Sequence, residues 1–470
     1  MNALIWLAVV STVISLVLTP VFRSLFRAWG VVDVPDEDRK IHGAAIPRGG
    51  GTAIAVSYVL AFLIVQWRTG IVDEHLALAL KVLPAACTIF AVGLIDDIWN
   101  LRAWQKLLGQ GVAAGVACWS GILAVDLVGF HGREWWTIPV TVIWLLACSN
   151  AFNLVDGMDG LAAGVGIFAT LTIVIAALMQ KNIALAMATV PLAGCLLGFL
   201  RYNFNPATVF LGDSGSLLIG FLLGCYGIIW TEKSATLLGM TAPLMALSLP
   251  LLDVGLAIVR RLLRHQPIFT ADRGHIHHRL LDRGMSPRQA TILLYGICSL
   301  VAVFSLLQTV VHDNAVSSVI VLVFCAVAWV GIRYLEYTEF ALAGKMLFGG
   351  GLQRTVKAEL ELADLQNCIA NAETTVDCAR LVQNAAGKFG LVATHMRIAG
   401  DDFGGPEAAK DSQWEARVMI ADGDWIDLAR VPGSDAGAAL FLDALTASLN
   451  ARIPSLSKAR PRTVVIRPRV

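Results

Sequence analysis

Residues 137–179 read TIPVTVIWLLACSNAFNLVDGMDGLAAGVGIFATLTIVIAALM. Two apolar runs, about 136–152 and 160–180, flank one polar string, Asn150-Ala-Phe-Asn153-Leu-Val-Asp156-Gly157-Met-Asp159-Gly160. Each run has the ~17–25 residues that a helix needs to cross a bilayer. Two carboxylates and two amides in such a setting are expensive and mark a site rather than a stretch of core. Asn153, Asp156 and Asp159 are spaced by three, so one helical face could carry them all. The two glycines argue instead for an interrupted helix. The string also echoes a calcium loop, but the twelve-residue spacing ending in Glu is absent.

The same alternation extends in both directions. Apolar runs occur at about 3–22, 50–67, 77–95, 104–124, 136–152, 160–180, 183–200, 213–230, 236–258, 289–309 and 315–334, which predicts eleven spanning helices. The first run lacks a basic leader and a small-residue cleavage site, so it reads as a helix rather than a signal peptide. Composition agrees. Of 470 residues, 56 % are hydrophobic and 42 are glycine, and mean hydropathy is +0.68. Charged residues are 15 %, against about 25 % in soluble domains. An ordinary soluble enzyme, a disordered chain, a collagen and a disulfide scaffold are excluded. Charge is concentrated at the end: 29 of the 120 residues in 351–470 are charged, against 42 of the first 350. The expected fold is an all-α polytopic membrane protein (1–335), a C-terminal cytoplasmic α+β domain (351–455) and a basic tail (456–470). The net charge of +1 gives no reason to expect nucleic acid. The nine cysteines show no metal spacing, and seven lie in apolar runs as small hydrophobes.

Lysine and arginine set the expected orientation. One set of loops carries 15 of them, including Arg39, Lys40, Arg48, Lys106 and Arg201, and the opposite set carries four: Arg68, Arg133, Lys181 and Lys233. The first set belongs in the cytoplasm, with the N-terminus outside. Every polar cluster falls on that same face.

These clusters combine acids, cations and histidines. Arg39-Lys40-Ile-His42 and Pro47-Arg48-Gly49-Gly50-Gly51 precede a helix. They suit phosphate binding by side chains and helix N–H groups, or simply anchor the chain at the membrane surface. Asp96-Asp97-Ile-Trp-Asn100 ends a helix; adjacent carboxylates there need a cation and could hold Mg²⁺ or accept a proton, or serve as a polar stop. Lys106 follows as a phosphate partner or a snorkelling lysine. In Phe210-Leu-Gly212-Asp213-Ser214-Gly215-Ser216, Asp213 is a metal ligand or a helix cap, and Phe210 a stacking surface for a base. Asp272-Arg273-Gly274-His275-Ile-His277-His278 places three histidines in four residues without a fourth zinc ligand, and Asp253 lies near the same surface. Carboxylates and cations converging on one face are what a Mg²⁺–diphosphate site requires.

These motifs, in this order, resemble the polyprenyl-phosphate N-acetylhexosamine-1-phosphate transferases of glycosyltransferase family 4, over about residues 1–335. The resemblance implies transfer of N-acetylglucosamine 1-phosphate from UDP-N-acetylglucosamine to undecaprenyl or another polyprenyl phosphate, with release of UMP. It implies Mg²⁺, for which Mn²⁺ substitutes, a bacterial inner-membrane location and a homodimer. By similarity Asp213 is the main metal ligand, with Asp97 beside it. Asp96 and Asp97 orient the lipid phosphate or act as base. Asn153, Asp156 and Asp159 line the nucleotide side, with Phe210 near the uracil. His275, His277 and His278 face the diphosphate or sugar, and Arg48 and Lys106 are cationic partners. Direct attack by the lipid phosphate is favoured over an aspartyl intermediate, because a phosphate monoester with a second pKa near 6 is already largely ionised. The Pro47-Arg48 and His275-Ile-His277-His278 strings look like the enzymes that initiate O-antigen, common antigen, teichoic acid or capsule. The muramoyl-pentapeptide branch usually has a Thr-Met-Gly-Gly type motif and three adjacent histidines, so it ranks second.

Outside the resemblance, the tail reads as a helix over 354–387, strands near 390–398, 414–421 and 424–431 with a turn at Asp422-Gly423, and a helix over 435–452 capped by Asp435. It has a weak likeness to GAF-type regulatory modules and no catalytic constellation. A transporter of lipid-linked sugar is the competing class; it calls for deep charges, and Lys81 is the one candidate.

Overall fold

The computed structural model describes residues 2–33, 45–69, 74–124, 135–231, 241–263, 274–311, 313–335, 352–389, 391–405, 415–420, 423–430 and 445–453. The chain divides into two compact units, Met1–Val259 with Ile268–Leu335, and Arg260–Pro267 with Glu336–Val470.

The first unit is a helical bundle. Its helices are α1 (Asn2–Ala28), α2 (Gly50–Thr69), α3 (Glu74–Trp99), α4 (Ala103–Trp119), α5 (Thr137–Val155), α6 (Leu161–Met179), α7 (Ile183–Asn203), α8 (Gly212–Thr231), α9 (Thr241–Ala246), α10 (Ser248–Leu263, in this unit as far as Val259), α11 (Ile276–Asp282), α12 (Pro287–Val310) and α13 (Asn314–Tyr334). Between α1 and α2, β1 (Val32–Asp33) pairs antiparallel with β2 (Ile46–Pro47). Among the described residues nine helices are long and apolar enough to cross a membrane, so the chain is a multi-pass membrane protein.

The other two expected spans take different forms. Helix α4 is shorter than expected, at 17 residues. The run expected at 236–258 is broken into α9 and α10. Pro250 explains the break: it has no N–H for the Ala246 carbonyl, and its ring crowds that carbonyl, so the α9 ladder stops there. At the other ends helices outrun their apolar stretches. Helix α1 continues through Arg23 and Arg27, and α3 carries Asp96-Asp97 inside its last turn.

Helix α8 is the axis of the bundle. Its spanning window is wholly buried, and it packs against α2, α3, α5 and α6. At the opposite extreme only 6 % of the α13 window is buried. Close approach of α1 and α7 depends on Gly194 and Gly198. A Cβ on Gly194 would lie 2.6 Å from the Ala8 carbonyl oxygen, and one on Gly198 would lie 2.6 Å from that of Thr12. The Ser15 hydroxyl crosses the gap to the Cys195 carbonyl at 2.7 Å. Small residues that let backbones touch are what bind helices together where the surroundings are as apolar as the side chains. Gly194→Val is therefore expected to lower the melting midpoint by several degrees in detergent, a cost of about 1–3 kcal/mol for overpacking. Gly111→Ala on α4, where a Cβ meets nothing within 4 Å, should leave the midpoint unchanged or slightly raised. Equal effects of the two would remove the packing argument.

In the second unit, β3 (Leu391–Ile398), β4 (Asp401–Gly404), β5 (Glu415–Met419) and β6 (Trp425–Arg430) form an antiparallel sheet in the order β4-β3-β6-β5. Its core joins helices Leu352–Ala370 and Thr375–Lys388, the sheet, and Leu445 and Leu449 of the helical segment 445–453. The single helix expected over 354–387 is two, because Thr374 caps the second by accepting from the Asp377 N–H. Strand β4 was not expected; the reversal at Ala399-Gly400, both with positive φ, folds it back on β3. The expected cap Asp435 and the turn residue Asp422 lie outside the described residues.

Candidate active site

The helix ends that carry polar motifs meet at one end of the bundle. Its centre is the first turn of α8. Gly212 has φ +74°, and Asp213 follows as the acidic residue of that turn. The N-terminus is capped from another helix: Asp97 Oδ1 accepts from the Asp213 N–H at 2.7 Å, and Asp97 Oδ2 accepts from the Ser214 N–H at 3.0 Å. A Cβ on Gly212 would sit 2.7 Å from Asp97 Oδ2, so glycine is required by the approach as well as by φ. Asp213 is thus not the cap that one reading of the sequence allowed. Asp97, expected among the metal ligands, has both oxygens on backbone donors.

Lys106 lies between acids. Its Nζ is 2.7 Å from Asp96 Oδ2, 2.9 Å from Asp213 Oδ2 and 3.4 Å from Asn153 Oδ1. Asn153 Nδ2 donates to Asp213 Oδ1 and, at 2.9 Å, to Ser216 Oγ. The other oxygen of Asp96 accepts from the Leu101 N–H at 2.7 Å, closing the turn after α3. Lys106 is thus held inside the polar cluster by an internal bridge. One helical turn further along α4, Gln110 and Asn150 exchange amide hydrogen bonds of 2.6 and 3.3 Å.

The polar string at 150–160 is an interrupted helix. Helix α5 ends at Val155, Asp156 is its C-cap, and Gly160 turns the chain at φ +75° into α6. The three acidic and amide side chains therefore separate. Asn153 stays with Asp213. Asp159 turns away: its Oδ2 accepts from Asn205 Nδ2 at 3.0 Å and the Ala207 N–H at 2.9 Å, fixing the loop between α7 and α8. Asp159 thereby clamps this loop. The Asp156 N–H donates to the Phe152 carbonyl at 3.1 Å, whereas its carboxylate has no hydrogen-bond partner among the described residues. Burial first, then the charges of Asp213, Asp97 and Asp159, raise its pKa well above the carboxylate range, with Arg48 opposing.

The glycines before α2 serve packing. The N–H groups of Gly50 and Gly51 donate to the carbonyls of Phe210 (3.0 Å) and Leu211 (2.8 Å), and the Phe210 N–H donates to the Pro47 carbonyl at 2.9 Å. A Cβ on Gly51 would also collide with the Gly215 backbone. These donors are not open to a phosphate, contrary to the expected cradle. Arg48 pairs with Asp33, a partner missed in the sequence, where Val32-Asp33 gave no sign of pairing with Ile46-Pro47. Lys81 lies beside Gly121, beyond the far end of α4, and is no mid-membrane charge of the polar cluster.

The histidines lie at α11. His275 Nδ1 is 3.0 Å from Asp253 Oδ2. The rings of His275 and His277 stack at 5.8 Å, and those of His277 and His278 tilt at 4.3 Å. His277 is buried, and its Nε2 has no hydrogen-bond partner among the described residues. Burial chiefly, with His278 and His275, lowers its pKa to about 4 against an opposing Asp253, so the ring is neutral at pH 7. The space it fills is set by Gly157, where a Cβ would lie 2.7 Å from Nε2.

Among the described residues no group of three or more His, Cys, Asp or Glu is arranged to hold a metal by itself. The donor set still fits a hard cation that keeps substrate phosphates as ligands. Asp96 and Asp213 already share one cation, the Lys106 ammonium, and Mg²⁺ is commonly bound by only one or two carboxylates.

A membrane bundle thus gathers acids, a shared lysine and a neutral histidine at one end. The profile of glycosyl transferase family 4 matches residues 79–231. A Bacillus subtilis (strain 168) protein named "Probable undecaprenyl-phosphate N-acetylglucosaminyl 1-phosphate transferase" is 36 % identical over 294 residues, 62 % of this chain and 80 % of the relative. A Mycolicibacterium smegmatis decaprenyl-phosphate N-acetylglucosaminephosphotransferase is 33 % identical over 65 % of this chain and 82 % of its own. A Moorella thermoacetica phospho-N-acetylmuramoyl-pentapeptide-transferase is 32 % identical over 62 % and 94 %. The chain belongs to glycosyl transferase family 4.

Proposed function

We propose that this protein transfers N-acetylglucosamine 1-phosphate from UDP-N-acetylglucosamine to a polyprenyl phosphate, releasing UMP and starting a lipid-linked envelope glycan. The observation that carries the reading is the Lys106 bridge between Asp96 and Asp213 at the N-terminus of α8. The names of the Bacillus and Mycolicibacterium relatives support the sugar. The excess of Lys and Arg in the loops at this end supports a cytoplasmic site, where a nucleotide sugar is available.

In this reading an oxygen of the lipid phosphate forms a bond to the sugar-bearing phosphorus. The bond from that phosphorus to the bridging oxygen breaks, and its electron pair leaves on UMP. No proton need be removed from a phosphate that is already ionised. The protein's task is then positioning and neutralising charge. Lys106 supplies a fixed positive charge beside Asp96 and Asp213. Arg48, steered by Asp33, supplies a second. His277 offers Nε2 as a neutral partner to a polar group of the substrate, and Phe210 offers a ring for the base. Asp97 acts by fixing the first turn of α8, and so Asp213. Mg²⁺, held by Asp213 with Asp96 near it, would neutralise the diphosphate.

Purified protein with polyprenyl phosphate, Mg²⁺ and UDP-N-acetylglucosamine should release UMP. Asp213→Asn should reduce the rate at least about 100-fold, as expected for loss of a group that stabilises transition-state charge. UMP from a UDP-N-acetylmuramoyl-pentapeptide donor alone would move the protein to the branch of the Moorella relative. Release that is indifferent to lipid or to Asp213 would overturn the reading.

A further inference from the structure

We infer that Asp253 is a positioning residue of this site: it fixes the ring of His275 through Nδ1 and thereby sets the histidine face that His277 presents over Gly157. The inference rests on the transferase reading and adds a residue that does not touch the substrate.

Asp253 lies on α10 and is only 2 % exposed. A carboxylate so enclosed needs compensating donors, and here both come from the start of α11. Its Oδ1 accepts from the Ile276 N–H at 2.8 Å, and its Oδ2 faces His275 Nδ1 at 3.0 Å. His275 is the residue before the helix, with extended φ and ψ and no side-chain cap of its own. Asp253 therefore does two things. It satisfies a first-turn donor of α11, and it holds a proton on Nδ1 of His275. The other nitrogen of an imidazole and the angle of its ring are set by such a partner.

The consequence passes along the stack. The His275 and His277 planes differ by 6°, so the orientation of one constrains the other. His277 then places its unpartnered Nε2 over Gly157, the residue that follows Asp156. A chain of fixed orientations thus runs from α10, through α11, to the turn between α5 and α6. The bare spacing His275-Ile-His277-His278 shows the histidines but not what aims them.

The test separates holding the helix from aiming the ring. Asp253→Asn keeps an oxygen for the Ile276 N–H but turns an NH₂ toward His275, forcing the opposite tautomer. With UMP release as the assay, kcat should fall about 10–100-fold, the usual range for an outer partner of a functional histidine. KM for the nucleotide sugar and the melting midpoint should change little. Asp253→Glu keeps the carboxylate and should recover part of the loss; it also serves should the Asn variant fold poorly. Adding Asp253→Asn to His275→Ala should cost nothing more, because the aspartate acts through that ring. Full activity of Asp253→Asn, or losses that multiply in the double variant, would overturn the inference. Wild-type protein run beside them keeps the questions apart: no UMP from wild type tells against the transferase reading, whereas UMP from wild type and Asp253→Asn alike tells against Asp253 alone.

Discussion

Lys106→Met should reduce UMP release by about 100- to 1,000-fold while the protein still reaches the membrane. Two losses combine. A preorganised cation aimed at developing charge is worth about 2.7–4 kcal/mol of the barrier, judged from removal of single transition-state donors elsewhere. Without the ammonium, Asp96 and Asp213 also face each other in a buried setting, their side chains being 6 % and 29 % exposed. Breaking a buried pair by removing one partner costs about 3–5 kcal/mol, because the remaining charge is uncompensated. The melting midpoint should therefore fall with the activity. Lys106→Arg separates the two effects. It keeps the charge, so most stability should return, but its planar fork cannot reproduce a point charge shared by two carboxylates and an amide. Activity should recover less than stability. Rates for Lys106→Met within threefold of wild type would show that the bridge is structural decoration and would remove the observation on which the proposed function rests.

The fold was legible where the membrane imposes it. Backbone polar groups in a bilayer must be satisfied within the segment, so apolar runs become helices and polar residues collect at their ends. Hence 137–179 gave two helices and the turn between them. The run 236–258 is continuous in hydropathy, and the break between α9 and α10 follows from the backbone of Pro250, which apolar length does not register. In the tail, Thr374 and the Ala399-Gly400 reversal were local signals inside segments that otherwise looked continuous. The site was legible as a set of residues and not as a set of bonds. Spacing marks Asp96, Asp97, Asp156, Asp159 and Asp213 alike as buried acids. It does not say that Asp97 turns both oxygens and Asp159 one oxygen to backbone donors, that Asp96 and Asp213 share Lys106, or that the Asp156 carboxylate has no hydrogen-bond partner among the described residues. Those differences arise from which helix ends meet, a long-range fact. The pairing of Arg48 with Asp33 and the clamp from Asp253 were hidden for the same reason.

Asp97→Ala tests this division most directly. In the structure its two oxygens cap α8, the helix with no exposed side in its spanning window. Removing them leaves the Asp213 and Ser214 N–H groups without acceptors, at about 1–3 kcal/mol for each buried donor. Asp213 sits on the same turn, so its carboxylate should lose its place and UMP release should fall at least 100-fold. Asp97→Asn keeps one oxygen and turns an NH₂ group against the other N–H. It should be intermediate in stability and still well below wild type in rate. The discriminating measurement is the melting midpoint in a chelator, without substrate. A residue that only binds metal has nothing to hold there, so its loss would leave the midpoint unchanged. A residue that caps α8 is needed whether or not metal is present, so the midpoint should drop by several degrees in both buffers. An unchanged midpoint in chelator together with lost activity would return Asp97 to the metal and leave the start of α8 to hold itself by packing, with Gly51 against Gly215 and Gly93 of α3 against the Asp213–Ser214 backbone.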